Sequence, residues 1–103
     1  MKKQRAEKNN ENELPEYVLR LFVTGATPNS VRAIKNLRAI CDEHLKGKYS
    51  LQIVDVYQDE EIARTEQLIA LPLLIKKLPL PERKLIGDLS QTEKVLAALL
   101  GNG

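Results

Sequence analysis

Cysteine occurs once in this sequence, at position 41, and histidine once, at position 44. A single thiol excludes both an intrachain disulfide and a Cys-x-x-Cys redox pair, and fits an intracellular setting. One cysteine and one histidine, not at ligand spacing, also leave no visible metal site. Glycine is equally sparse where it would matter. Gly25 stands alone after an apolar strand, far from the G-x-G-x-x-G that cradles a dinucleotide. Long hydrophobic runs are missing too. The longest, Leu68 to Ile75, is interrupted by Pro72 and is too short to span a bilayer. No apolar core of a secretory signal appears in residues 1–16. Nor is there a marked excess of one charge: 16 Lys and Arg against 14 Asp and Glu give +2, too little to imply nucleic acid. The expectation is a cytoplasmic protein with no metal, no cofactor and no nucleic-acid or membrane partner.

What the chain does contain is an ordinary globular composition, 43% hydrophobic and 29% charged. A domain of this length buries roughly 65% of its unfolded surface. Residues 1–16 read as a disordered arm whose Lys2, Lys3, Arg5 and Lys8 are solvated, ahead of one domain over 17–101. Tyr17 to Thr24 is a strand pattern broken by Gly25-Ala26. Thr27-Pro28 then reads as an N-cap with proline at the first helical position, where its missing N–H costs nothing. Val31, Ile34, Leu37, Cys41 and Leu45 follow as one apolar stripe, with Arg32, Lys35 and Arg38 on the opposite face and Gly47 as the stop. Arg38 is spaced to pair with Asp42. Tyr49 to Tyr57 is a second strand, parallel to the first through a right-handed crossover. Asp59-Glu60-Glu61 opens a second helix ending near Leu68, with acids where the helix dipole favours them. Ala70 to Lys77 and Arg83 to Gly87 form an antiparallel hairpin about the turn Pro79–Glu82. Ser90-Gln91-Thr92-Glu93 reads as a capping box for a last helix carrying Val95, Leu96, Leu99 and Leu100, stopped by Gly101.

The order β-α-β-α-β-β-α is the thioredoxin-like arrangement, an α/β fold with a mixed four-stranded sheet and helices on both faces. A cis proline commonly precedes the third strand of that fold, and Pro72 stands there. A thioredoxin-like enzyme needs a low-pKa thiolate at the start of the first helix. That position here reads Gly25-Ala26-Thr27-Pro28-Asn29-Ser30. The alternative, a redox protein relying on Cys41, requires an exposed thiol, whereas Cys41 lies deep on the apolar stripe. His44 suits a helix C-terminus, Ser30 has no partner base, and Asp59-Glu60-Glu61 is an ordinary helix start. No catalytic residue is expected. Lys76, Lys77, Arg83 and Lys84 flank the proline-rich turn. They are either a solvated basic hairpin or a docking site for an acidic protein reached by electrostatic steering.

The heptapeptide Thr27-Pro28-Asn29-Ser30-Val31-Arg32-Ala33 resembles the signature of the KaiB family, small non-enzymatic components of the cyanobacterial circadian clock. The likeness continues through Val54-Asp55-Val56, Leu78-Pro79 with Pro81, Ile86-Gly87-Asp88-Leu89-Ser90 and Glu93-Lys94-Val95-Leu96. It implies a regulatory adaptor that binds a KaiC-like RecA-type ATPase and modulates its signalling in a clock or in stress adaptation. A histidine kinase is a second implied partner. It also implies two folds: a resting tetramer whose C-terminal half is arranged differently, and a monomeric thioredoxin-like binding form. Candidate positions for that switch are Pro72, Pro79, Pro81, Gly87, Asp88, Ala98 and Leu100; candidate partner contacts are Arg32, Lys35, Lys76, Lys77, Arg83 and Lys84. The chain departs from the clock pattern where Ala98 and Leu100 replace a glycine and an aspartate. Alanine for glycine favours a helix by roughly 1 kcal/mol, and Leu100 is read as extending the apolar face. Both changes point to a chain resting in the thioredoxin-like form, the reverse of a clock KaiB. Departures at Asp59 to Leu68, and at Ser50 and Gln52, speak against KaiA engagement and for a non-clock paralogue.

Overall fold

The computed structural model describes residues 14–58 and 71–101. The arm up to residue 13 and the helix expected over 59–68 lie outside the described residues. The described residues form β1 (Tyr17–Val23), α1 (Pro28–His44), β2 (Tyr49–Asp55), β3 (Leu73–Leu78), β4 (Arg83–Ile86) and α2 (Thr92–Leu100). The strands form one mixed sheet in the order β2-β1-β3-β4. β1 runs parallel to β2, pairing Tyr17 with Tyr49 and Val23 with Asp55, and antiparallel to β3, which is antiparallel to β4. The register between β1 and β3 shifts at Val18/Leu19: Leu19 faces Lys76 while Val18 faces Leu78, so Lys77 is the extra residue of a bulge.

Alternation along the strands divides the core in two. Leu19, Leu21 and Val23 of β1 join Leu74 of β3 under α1 and α2, which contribute Ala33, Leu37, Ile40, Cys41, Leu45, Val95 and Leu99. Phe22, Val54, Leu73 and Ile75 form a second cluster on the other face, with Val56 and Leu71 packed against it. Each aliphatic side chain so buried is worth roughly 1.5–3 kcal/mol, and together these clusters hold β1 in the middle of the fold.

The helix signals are partly redistributed. Thr27 caps α1 as expected, its side chain accepting the Ser30 N–H, with proline in the first turn. The buried stripe, however, is Ser30, Ala33, Leu37, Ile40 and Cys41; Val31 is 43% exposed. The cap turns Ser30 inward against the end of β1, and the helix face rotates with it. α1 ends at His44, and Gly47 takes up φ +76° in the turn that follows. The capping box at Ser90 does not form: Gln91 is the N-cap of α2 and makes no side-chain cap hydrogen bond. Ser90 is held instead by its N–H donating to Asp88 Oδ1 at 3.0 Å, a local Asx turn that competes with the cap. Leu100 does not extend the buried face either; it is 46% exposed, because the face that reaches the sheet is Val95 and Leu99.

Candidate functional site

The polar structure of the domain gathers where β1 ends and α1 begins. Gly25, at φ +59°, lets the chain turn out of the sheet, and a β-carbon there would stand 3.2 Å from Cδ2 of Tyr57. The Gly25 N–H donates to Asp55 Oδ1 at 3.0 Å, and the same oxygen accepts the Tyr57 N–H at 2.9 Å. Asp55 thus ties the turn to the end of β2. In the next turn the Thr27 hydroxyl donates to Ser30 Oγ at 2.8 Å, and Ser30 Oγ also accepts the Thr24 N–H at 3.1 Å. Ser30 is fully buried. The Leu71–Pro72 bond is cis. Together with Thr24, Thr27, Pro28, Asn29 and Leu71, Pro72 lines an open groove of about 370 Å³ against the helix start.

That groove is where the thioredoxin arrangement carries out its redox chemistry. Here two hydroxyls bonded to each other occupy the helix start, with no thiol between them. Cys41 is fully buried, and burial, with the neighbouring Asp42 carboxylate, pushes its thiol up to about 12. It is protonated and inaccessible at neutral pH, which overturns the redox alternative built on it. His44 sits in the last turn of α1, its Nε2 3.9 Å from Glu43 Oε2. No group of His, Cys, Asp or Glu among the described residues could hold a metal ion.

A second polar junction lies between β4 and α2. Asp88 Oδ2 accepts from Arg32 Nε at 3.3 Å, and the Asp88 carbonyl accepts from Asn36 Nδ2 at 2.9 Å. Hydrogen bonds from Ser90, then the Arg32 guanidinium, hold the Asp88 carboxyl below its ordinary value. Arg32 also donates to Asn29 Oδ1. Gly87 at φ +122° and Leu89 at φ +61° carry the chain through this junction, and the Gly87 N–H bonds the Pro72 carbonyl at 3.0 Å. Candidate switch residues Pro72, Gly87 and Asp88 are therefore linked around one seam. Pro79 and Pro81, both after cis bonds, lie in the distant hairpin turn. Ala98 is half-buried in α2.

The basic residues do not form one patch. Arg32 and Lys35 are exposed on the outer side of α1; Lys77, Arg83 and Lys84 belong to the hairpin at the end of the sheet where β1 starts. Lys84 is exposed, Arg83 is half-buried, and Lys77 Nζ lies 3.9 Å from Glu82 Oε1. Exposed Leu78 and Leu80 give the turn between them an apolar tip. Lys76 is the exception and corrects the reading of this hairpin as uniformly solvated: it is 2% exposed, because it lies two residues after Leu74 on the strand and shares its face under the helices. Sequence reasoning missed the Thr27–Ser30 hydroxyl pair and the Asp88 junction. The three-residue spacing of two hydroxyls at an N-cap, and the Asp-x-Ser that builds an Asx turn, were the available signals.

A mixed sheet with a cis proline facing the start of its first helix, and hydroxyls where thiols would stand, defines a thioredoxin-like domain stripped of the redox pair. Solved structures agree on the fold. Mitochondrial thioredoxin 3 of Saccharomyces cerevisiae matches with a TM-score of 0.66 at 13% identity, covering 82% of this chain and 77% of that one. The N-terminal domain of Synechococcus elongatus SasA matches with a TM-score of 0.60 at 23% identity, over 95% and 96% of the two chains. The family is more specific. The KaiB domain family model matches residues 20–100. The circadian clock oscillator protein KaiB of Microcystis aeruginosa is 51% identical over 83 residues, 81% of this chain and 80% of that protein. The KaiB of Synechococcus elongatus is 48% identical over the same length, 81% of each chain. The chain belongs to the KaiB family.

Proposed function

We propose that this KaiB-family protein is a non-enzymatic adaptor that binds a KaiC-like RecA-type ATPase ring and modulates its signalling. The observation that carries the reading is the hydroxyl pair at the helix start: the fold keeps the groove and the proline of a thioredoxin, but Thr27 and Ser30 spend their hydroxyls on each other and on the Thr24 N–H. With no metal-ligating cluster or accessible thiol among the described residues, surface recognition is the chemistry we assign to the site. Arg32, Lys35, Lys77, Arg83 and Lys84 are the contacts we assign, with the exposed Leu78 and Leu80 supplying apolar area beside the charges. Lys76 is not among them in this form. The helix over Thr92–Leu100 supports a binding-competent, monomeric thioredoxin-like form as the resting state. A histidine kinase is a second partner consistent with the family.

Native mass spectrometry of the protein mixed with the KaiC homologue of the same organism tests this, once with ATP and once with ADP. We expect a complex in at least one state, weakened by Lys77→Glu with Lys84→Glu. No complex in either state refutes the adaptor reading.

A further inference from the structure

Lys76 stands on the interior face of β3. Its Cα partners are Leu19 of β1 and Arg83 of β4, and Leu74 precedes it on the same face. Only 2% of the residue is accessible, and no side-chain hydrogen bond or ion pair engages it among the described residues. Covering a lysine this far strips water from its side chain, a cost that no counter-ion or acceptor among the described residues offsets.

We propose that Lys76 is a built-in charge that works against the β3–β4 half of this sheet. It is covered, with no partner among the described residues, when the hairpin lies against β1, and it regains its hydration whenever the hairpin comes away. The surroundings offer no relief. Arg83, opposite it on β4, adds a like charge. The titratable groups of the core cluster on that face are Tyr17, Tyr49 and Cys41; the Tyr49 hydroxyl is committed to Asp42 Oδ1 at 2.7 Å, and the Cys41 thiol is protonated. Asp42 and Glu43 of α1 and Glu93 and Lys94 of α2 are exposed. Burial first, and then Arg83, accordingly lower the Lys76 pKa.

An unfolded or opened chain holds its proton up to the ordinary value of about 10.5, while the closed form releases it earlier. Between the lowered value and 10.5 the open state binds more protons, so the closed form gains stability as pH rises through that window. Below it the cost is present in full. The inference stands apart from the partner reading: no partner enters its tests, so loss of KaiC binding would leave it untouched.

Two measurements test it. The Cε resonance of Lys76, followed by NMR in the wild-type protein, is expected to titrate below the midpoint of the surface lysines; a midpoint at 10.5 overturns the proposal. Lys76→Met keeps the length of the stem and removes the charge. Urea unfolding at pH 7 should show its folding constant raised about tenfold, equivalent to about 1.4 kcal/mol. That advantage should shrink toward pH 10.5, where the lysine of the closed form has already lost its proton. A variant that is less stable than wild type, or whose advantage does not change with pH, overturns it as well.

Discussion

Ser30→Ala probes the helix start, where the Thr27 and Ser30 hydroxyls hydrogen-bond to each other. The hydroxyl is fully buried and accepts from both the Thr24 N–H at 3.1 Å and the Thr27 hydroxyl at 2.8 Å. Alanine removes one oxygen and leaves two donors behind. The Thr24 N–H, half-buried at the end of β1, loses its acceptor; an unsatisfied buried donor costs about 1–3 kcal/mol. The Thr27 hydroxyl can turn to water, so its loss is nearer the net value of an ordinary hydrogen bond, about 0.5–1.5 kcal/mol. The cap itself survives, because its donor is the backbone N–H of residue 30, which the substitution keeps and Thr27 Oγ1 still accepts. The expected total is about 2 kcal/mol. For a domain of this size that lowers Tm by about 8–16 °C. Thr27→Ala, which removes both the cap and the donor, should cost about 1 kcal/mol. The double variant should fall short of the sum, since the two residues share one hydrogen bond. Urea and thermal unfolding of the four proteins measure the cycle. A loss below about 0.5 kcal/mol for Ser30→Ala, the range of an indifferent surface change, would refute the account of this site.

Thr27→Cys with Ser30→Cys places two thiols at the helix start beside Pro72, and we expect them to form a disulfide that raises Tm and is reversed by dithiothreitol; thiol titration that finds both cysteines free under oxidising conditions would count against the thioredoxin-like reading of the groove. Ala98→Gly with Leu100→Asp weakens α2 by about 1 kcal/mol of propensity and by a few tenths to about 1 kcal/mol for a carboxylate at a helix C-terminus. Together these amount to about a tenfold shift away from this form, read as new amide resonances and a larger species by size exclusion; an unchanged spectrum and mass would remove Ala98 and Leu100 from the set of switch positions.

Much of this fold is legible in the sequence because local signals and the tertiary structure agree. The apolar Tyr17 to Val23 run, the Thr27-Pro28 cap and the leucines of β3 each say one thing, and the sheet order follows from how they are connected. Strand ends drift by a residue or two where apolar content outlasts the ladder, as at Tyr57, which is 70% exposed beyond β2. The capping box failed for a physical reason: Ser90 has two ways to use its N–H, and Asp88, anchored by Arg32 and Asn36 from α1, supplies the better one. Such a competition is decided 52 to 56 residues away in the chain, beyond any local pattern.

Lys76 was hidden for a deeper reason. In Leu73-Leu74-Ile75-Lys76-Lys77-Leu78 two adjacent lysines near a turn read as solvated, and three apolar residues in a row do not say which face of the strand meets the helices. Leu74 makes the choice, since Lys76 follows it by two and shares its face opposite Leu19. The bulge acts on the next apolar residue: with Lys77 as the extra residue, Leu78 leaves that face and is 45% exposed. Alternation thus buries a charge and the bulge exposes a leucine, both unfavourable in isolation. The half of the sheet that carries them, β3 and β4, is tied to β1 with a stability that these two residues lower, whereas β1, α1 and β2 bury no charged side chain. Whatever rearranges in this protein should therefore begin at the hairpin, and the Thr27–Ala33 segment should be the last to move.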